Sequence, residues 1–352
     1  MQRRNNNFIH NLAKCALSLL CAVVAFTSCI MQGEGDCKVT YKLRFVYDYN
    51  MKWADATAHE VNSVRFFAFD SNGNLVYSAV ESGQKLIDNN FTVELPLNPG
   101  NYRIVAWCEA DGNPGDESFI IADGKPVTKE SDLTAYMVRK NDPQMGPSSS
   151  INLHPLYYGS LDLTLPDYSY EGGEYVSVVY LKKDTNKIKI MLQQLNGDKV
   201  DVSDFAFEIS EDNGYLAADN SVIKDQVLTY YPWVEYNAEA GVISPETQAL
   251  TKVNVAQAEF TVNRLVTEHH SNMMLSVYRK RDGKKIIYLP VIDYCLMAKS
   301  FELSTVTDQE YLDRQDEYAM LFFLDEGLRW IETNIYINSW HIVFNNQSIV
   351  TD

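Results

Sequence analysis

Strict alternation of apolar and polar residues recurs along this chain and leaves little room for a helical fold. Val39, Tyr41, Leu43, Phe45 and Tyr47 alternate with Lys38, Thr40, Lys42 and Arg44. Period two is the mark of a strand with one buried face. Val64 to Asp70 and Leu75 to Val80 flank the turn Asp70-Ser71-Asn72-Gly73-Asn74 and read as a hairpin. Phe91, Val93 and Leu95 alternate again. In Leu97-Asn98-Pro99-Gly100-Asn101-Tyr102 the Pro presets φ at the second turn position and the Gly takes a positive φ at the third. The chain then returns as a strand over Tyr102 to Trp107. Short strands, close turns and little helical periodicity predict an antiparallel β-sandwich.

From Glu109 to Ser150 the sequence is loop-rich, and Asn141 to Ser150 is dense in turn formers. Strand patterns restart with Leu161, Leu163 and Leu165. They continue over Tyr175–Leu181, Lys187–Leu192, Phe205–Ile209, Gln257–Leu265, Met273–Tyr278 and Ile286–Leu296, with a polar loop over 232–252. Met320–Leu324, Ile331–Ile337 and Trp340–Phe344 close the chain as strands. One short helix is expected, where Thr307 and Glu310 make a capping box and Tyr311, Leu312, Gln315 and Tyr318 fall at helical spacing. The prediction is two tandem β-sandwich domains, over 37–157 and 158–352, with that helix in the second.

The N-terminus carries a different signal. Arg3, Arg4 and Lys14 precede an apolar run from Cys15 to Phe26, about a dozen residues long. That is a secretory signal peptide, too short for a membrane span of roughly 20 apolar residues. Phe26 at −3, Ser28 at −1 and Cys29 at +1 fit the bacterial lipoprotein cleavage pattern. Residues 1–28 are then removed and Cys29 becomes a diacylglycerol-bearing N-terminus. The alternative is an ordinary signal peptide with a chance Cys at its end. Residues 29–36 are small, polar and acidic, and read as a tether.

Removing residues 1–28 takes away three basic residues and no acidic one, so the formal charge moves from −17 to −20. So acidic a chain is unsuited to nucleic acid or to electrostatic docking on anionic lipid. Cys37 and Cys108 are the pair best placed for a disulfide, which an extracytoplasmic location permits; the alternative is that Cys37, Cys108 and Cys295 are all free thiols. No metal site or cofactor is expected. His59, His154, His269, His270 and His341 have no metal-ligand spacing, and His269-His270 read as surface histidines. Asp111 to Glu117 gathers oxygen ligands but lacks the Gly and distal Glu of an EF-hand. There is no Gly-x-Ser-x-Gly elbow and no phosphate-cradling Gly loop, so an enzyme is not expected.

Several segments resemble a known family. They are Asp48-Tyr49-Asn50-Met51-Lys52-Trp53-Ala54-Asp55-Ala56, Phe69-Asp70-x-x-Gly73, Leu97-x-Pro99-Gly100-x-Tyr102 with Ala106-Trp107, Tyr311-Leu312-Asp313-Arg314-x-x-Glu317-Tyr318, and Ile337-Asn338-x-Trp340. Their order and spacing resemble the fimbrillin-associated anchor lipoproteins of Bacteroidota, the FimB/Mfa type, along essentially the whole mature chain. The resemblance implies two transthyretin-like domains. It implies attachment of a fimbria at its base to the outer membrane, with a part in limiting its length. Partners would be fimbrial shaft or accessory subunits, joined by strand addition. Glu34 and Asp36, soon after Cys29, resemble the export signal of surface lipoproteins in that phylum, with plain tether charge as the alternative.

Three other readings remain open at this point. A glycan-binding surface lipoprotein would show an exposed aromatic patch, with Trp53, Trp233 and Trp330 as candidates. A surface hydrolase would show convergent titratable groups in a cleft. A shaft or tip subunit of the same family would share the fold.

Overall fold

The computed structural model describes residues 39–109, 118–167, 173–243, 250–338 and 340–343. The leader, Cys29, the tether with Glu34 and Asp36, Cys37 and the Asp111–Glu117 loop lie outside the described residues.

The alternation at the start becomes β1 (Val39–Val46). A one-turn helix α1 (Thr57–Glu60) follows, then the hairpin β2 (Ser63–Asp70) and β3 (Leu75–Ser82), then β4 (Val93–Glu94) and β5 (Gly100–Glu109). Next come β6 (Phe119–Ile121), β7 (Thr134–Met137), β8 (Lys140–Asp142) and β9 (Gly146–Ser149). Two long strands follow, β10 (Leu156–Leu165) and β11 (Gly173–Lys183).

β3, β2, β5, β10, β11, β1 and β4 hydrogen-bond in that order. In a flat sheet β2 and β1, four positions apart, would stand about 19 Å from each other. Instead the Phe45 and Phe66 rings are 5.8 Å apart, so the series folds over on itself as a sandwich. Gly159 marks the fold. There β10, paired along its length with β5, meets β11 over only Tyr157 to Gly159. A Cβ on Gly159 would come within 2.9 Å of the Tyr180 carbonyl oxygen, so only glycine fits the approach. The core between the layers holds Leu43, Phe66, Ile104, Ala106, Tyr157 and Val179.

The second body uses β12 (Asn186–Gln194), β13 (Phe205–Glu211), β14 (Tyr215–Ala217), β15 (Leu228–Tyr230), β16 (Val234–Ile243), β17 (Leu250–Val262), β18 (Met274–Arg279) and β19 (Lys284–Pro290). Helices α2 (Val291–Met297) and α3 (Asp308–Arg314) follow, then β20 (Glu317–Leu324), β21 (Trp330–Ile337) and β22 (Trp340–Val343). One sheet runs β16-β17-β12-β20-β21-β22 and the other β19-β18-β13-β15-β9-β8, with β14-β7-β6 beside them. Ile188, Ile190, Phe260 and Phe322 of the first layer share a core with Phe205, Phe207, Leu275 and Leu289 of the second. Phe67, Phe69, Val105, Trp107 and Tyr158, on the far face of the first sandwich, enter that same core. The β2-β5-β10 sheet is therefore buried on both sides, and the two bodies share apolar packing.

The fold is mostly β, as the alternation predicts, but five expectations need correction. The boundary is not at 157/158: β10 and β11 complete the first sandwich, while β6 to β9 pair within the second body's sheets. The 109–150 stretch is not simply loop. β7 pairs with β14 and β9 runs parallel to β15, partners about 80 residues away that local sequence cannot reveal. The polar 232–252 stretch is not simply loop: β16 pairs antiparallel with β17. The last part of the expected strand Ile286–Leu296, from Val291 on, is instead helix α2. It buries Val291, Ile292 and Cys295, and a short apolar run is ambiguous between the two states. The capped helix ends at Arg314 rather than reaching Tyr318, which lies in β20. Of the expected capping box one half is present: Thr307 Oγ1 accepts from the Glu310 backbone N–H at 3.1 Å, while the Glu310 carboxylate accepts from Arg314 Nε at 2.8 Å. Among the described residues no helix is long and apolar enough to cross a membrane.

Candidate anchoring and partner-binding surfaces

β1 is the described strand nearest the tether, and it is not an edge. It pairs in parallel with β11 over eight positions, Val39 opposite Gly173 through Val46 opposite Tyr180. On its other side Leu43 lies opposite Val93 of β4. The parallel sense has a mechanical consequence. A pull applied at the N-terminal end of β1 would load that end, while β11 continues from its C-terminal end into the second body. Those ends point in opposite directions, so tension shears the ladder along its length and loads all the pairs together.

Cys37, one half of the expected Cys37–Cys108 pair, lies outside the described residues. Cys108 is buried in β5 opposite Tyr157, and burial raises its thiol pKa.

Where the two bodies meet, charges are concentrated and largely dry. Lys183 Nζ meets Asp316 at 2.6 Å and Glu60 at 3.5 Å, and Tyr157 donates to Glu60 at 2.7 Å. Burial works against the Lys183 charge, but Asp316 and Glu60 outweigh it and its pKa lies above the ordinary value. Arg264 reaches both Asp313 oxygens at 3.2 Å and has Asp184 at 3.7 Å. Its Nη1 donates to the Asn220 carbonyl, and Gln309 adds a bond to Asp313 at 2.8 Å. Arg314 is stacked between the rings of Tyr49 and Trp53, at 3.9 and 3.7 Å. Two of the segments that carry the family resemblance, 48–56 and 311–318, thus meet through one guanidinium.

Asp184 is fully buried. Burial drives its pKa up to about 6, with Arg264 and the Asn220 amide acting in the opposite sense. The sign follows from proton counts: between about pH 4 and 6 the folded state holds a proton that the unfolded chain releases. Stability from this group therefore falls as pH rises through that window and is flat above it. Asp184→Asn is expected to flatten the slope. In urea titrations at pH 4.5 and 7, the wild type should lose more stability on going to pH 7 than the variant does. Equal losses would contradict the assignment.

Two surfaces can receive a partner. The first is the free edge of β3. Thr128 and Glu130 pair with its start, through Leu75 N–H to the Thr128 carbonyl and Glu130 N–H to the Gly73 carbonyl at 2.8 and 2.9 Å. Beyond Leu75 the outer edge carries no backbone partner among the described residues, and Val76 and Val80 face solvent. Edge strands are usually guarded by Lys or Pro; β3 has neither, whereas Lys284 and Lys285 stand on the edge strand β19. Alongside β3 runs a cleft of about 430 Å³ lined by Phe67, Leu75, Ala79, Ile121 and Val127. The second surface is a cleft of about 600 Å³ lined by Met51, Lys189, Trp233, Glu259, Tyr311 and Asn338.

The three Trp candidates fare differently. Trp233 lines the larger cleft and is 38% exposed. Trp53 is exposed but has Arg314 against its ring, and Trp330 packs edge-on against Phe322.

The comparisons with known proteins agree on the fold. The family model described as fimbrillin-A associated anchor proteins Mfa1 and Mfa2 matches residues 34–346. Among solved structures, a protein from Bacteroides thetaiotaomicron described as a candidate adhesin is 36% identical. That likeness has TM-score 0.75 and covers 87% of this chain and 97% of that one. Another protein from the same species, described as a candidate polysaccharide-binding protein, is 26% identical with TM-score 0.70, covering 88% and 99%. The fimbrial anchor protein Mfa2 of Porphyromonas gingivalis shares the fold at 17% identity and TM-score 0.63, covering 88% and 100%. No curated protein matches.

Proposed function

The chain belongs to the family of fimbrillin-A associated anchor proteins, and from that premise we propose that it fixes a fimbria at its base to the outer membrane. Cys29 carries the lipid, and Glu34 and Asp36 direct the chain to the cell exterior. Each buried CH₂ of an acyl chain contributes about 0.8 kcal/mol, so several chains make attachment effectively permanent. A fimbrial subunit adds an extended segment to the free edge of β3, its side chains entering the cleft beside Phe67 and Val127. A subunit that accepts a strand while held by lipid ends the polymer at its base, which limits fimbrial length. The protein acts as a mechanical link rather than as an enzyme.

The observation that carries this reading is the placement of β1. The strand that takes the tether's load is clamped between two others, parallel to the strand that leads into the second body. A chain that only displayed a binding site would have no need of its load path in shear. Glycan binding stands second on the strength of Trp233 in the larger cleft. It ranks lower because Trp53 is occupied by Arg314 and Trp330 is packed away.

Membrane fractionation tests the attachment itself. Wild-type protein should incorporate labelled fatty acid and sediment with outer membranes, and Cys29→Ala should do neither. Cys29→Ala that remained acylated and membrane-bound would overturn the assignment of the lipid.

A further inference from the structure

The sequence holds no metal-ligand spacing, yet the fold brings three ligand side chains together across 58 residues. Glu211 ends β13, Asp212 begins the turn that follows, and His269 closes the short 3₁₀ turn Thr267–His269. His269 Nδ1 lies 2.9 Å from Glu211 Oε1 and 3.3 Å from Asp212 Oδ1. One ligand atom from each residue falls within 4.8 Å of the others. We infer that Glu211, Asp212 and His269 form a binding site for one divalent transition-metal ion of the Zn²⁺ type.

Three observations support the site independently of this proximity. First, the Glu211 side chain is only 2% exposed, and its Oε2 is buried with no hydrogen-bond partner. Asp212 Oδ1 likewise accepts no hydrogen bond. A buried carboxylate oxygen left bare costs free energy that a cation would recover. Second, the charge is unbalanced. Two carboxylates share one imidazole, with no second cation among the described residues at that point. Third, the turn is held before any ion arrives. Asn213 Nδ2 donates to the Asn263 and Arg264 carbonyls at 3.2 and 3.1 Å, Asn263 Nδ2 donates back to the Asn213 carbonyl at 2.6 Å, and Tyr230 donates to Asn213 Oδ1 at 2.6 Å. Such outer partners fix the geometry of a metal site.

The donor set names the class of ion. One imidazole nitrogen with two carboxylate oxygens suits Zn²⁺, and three protein ligands leave a coordination position open to water. Ca²⁺ takes six to eight oxygens, more than are gathered here. His269 and Asp212 are partly exposed and give the ion a way in. His270, the neighbour in sequence, turns elsewhere and pairs with Asp293 at 3.1 Å.

Calorimetry on the chelator-treated mature chain tests the site, with ZnCl₂, MnCl₂ and CaCl₂ as separate titrants. One equivalent of Zn²⁺ should bind and raise the thermal midpoint. Glu211→Gln and His269→Ala should each weaken binding more than about tenfold, since loss of even an outer partner costs 10- to 100-fold. Circular dichroism confirms that each variant is folded, and Glu211→Gln keeps the side-chain shape should His269→Ala unfold. His270→Ala should bind as the wild type does. Zn²⁺ binding unchanged in Glu211→Gln, no saturable Zn²⁺ binding, or a preference for Ca²⁺ would each overturn the assignment.

Discussion

Arg264→Ala is expected to cost about 3–5 kcal/mol of stability, the range for removing one partner from a buried ion pair. Arg264 is 10% exposed, and its removal takes the guanidinium from two buried carboxylates at once, leaving Asp313 only Lys182 and Gln309 and leaving Asp184 only the Asn220 amide. It also frees the Asn220 carbonyl that Nη1 satisfies. These groups come from different parts of the fold: Asp184 just past β11, Asp313 in α3, Asn220 past β14. The damage should therefore spread across the junction between the bodies. Urea unfolding of the purified chain should show a lower midpoint. Adding Asp184→Asn should recover part of the loss, because it removes one of those carboxylates. A midpoint within experimental error of the wild type would show that the network contributes little.

Leu43→Ala should cost about 2–5 kcal/mol, the usual range for emptying a buried leucine site. Leu43 is fully buried in the first core and sits in β1 between Val93 and Ser177. The variant weakens the strand through which tether load enters the protein. Pulled from its N-terminus against its C-terminus, the variant should yield at lower force than the wild type. An Ala of equal burial in the second body, Ile287→Ala, should lower thermal stability with a smaller change in that force. Equal losses of force in both variants would count against β1 as the load path.

Much of the strand pattern was legible because side-chain alternation is local. Val39 to Tyr47, the hairpin around Asp70–Asn74 and the Thr307 cap all follow from residues near one another in sequence. Pairing was not legible. Strands of three or four residues, such as Phe119–Ile121 and Thr134–Met137, take their order from partners far along the chain. The division between bodies was misplaced for the same reason: nothing local says that Tyr175–Leu181 pairs with the first strand.

The sites divide likewise. Cys29 stands out because cleavage signals are linear. The resemblance singled out Asp313 and Arg314 as family markers without their roles, which depend on Arg264 and on the rings of Tyr49 and Trp53. The Glu211–Asp212–His269 cluster had no signal at all, because its two halves lie on separate turns. The bare edge of β3 had no signal either, because which strand ends a sheet depends on pairing with distant residues.

The central claim is that this chain holds fimbriae to the cell through the lipid on Cys29. In cells producing either the wild type or Cys29→Ala, fimbriae on the cells and in the medium are quantified together with this protein. The account predicts that the wild type keeps fimbriae on cells, while Cys29→Ala releases intact fimbriae carrying the unlipidated protein. Fimbriae retained equally in both would contradict it.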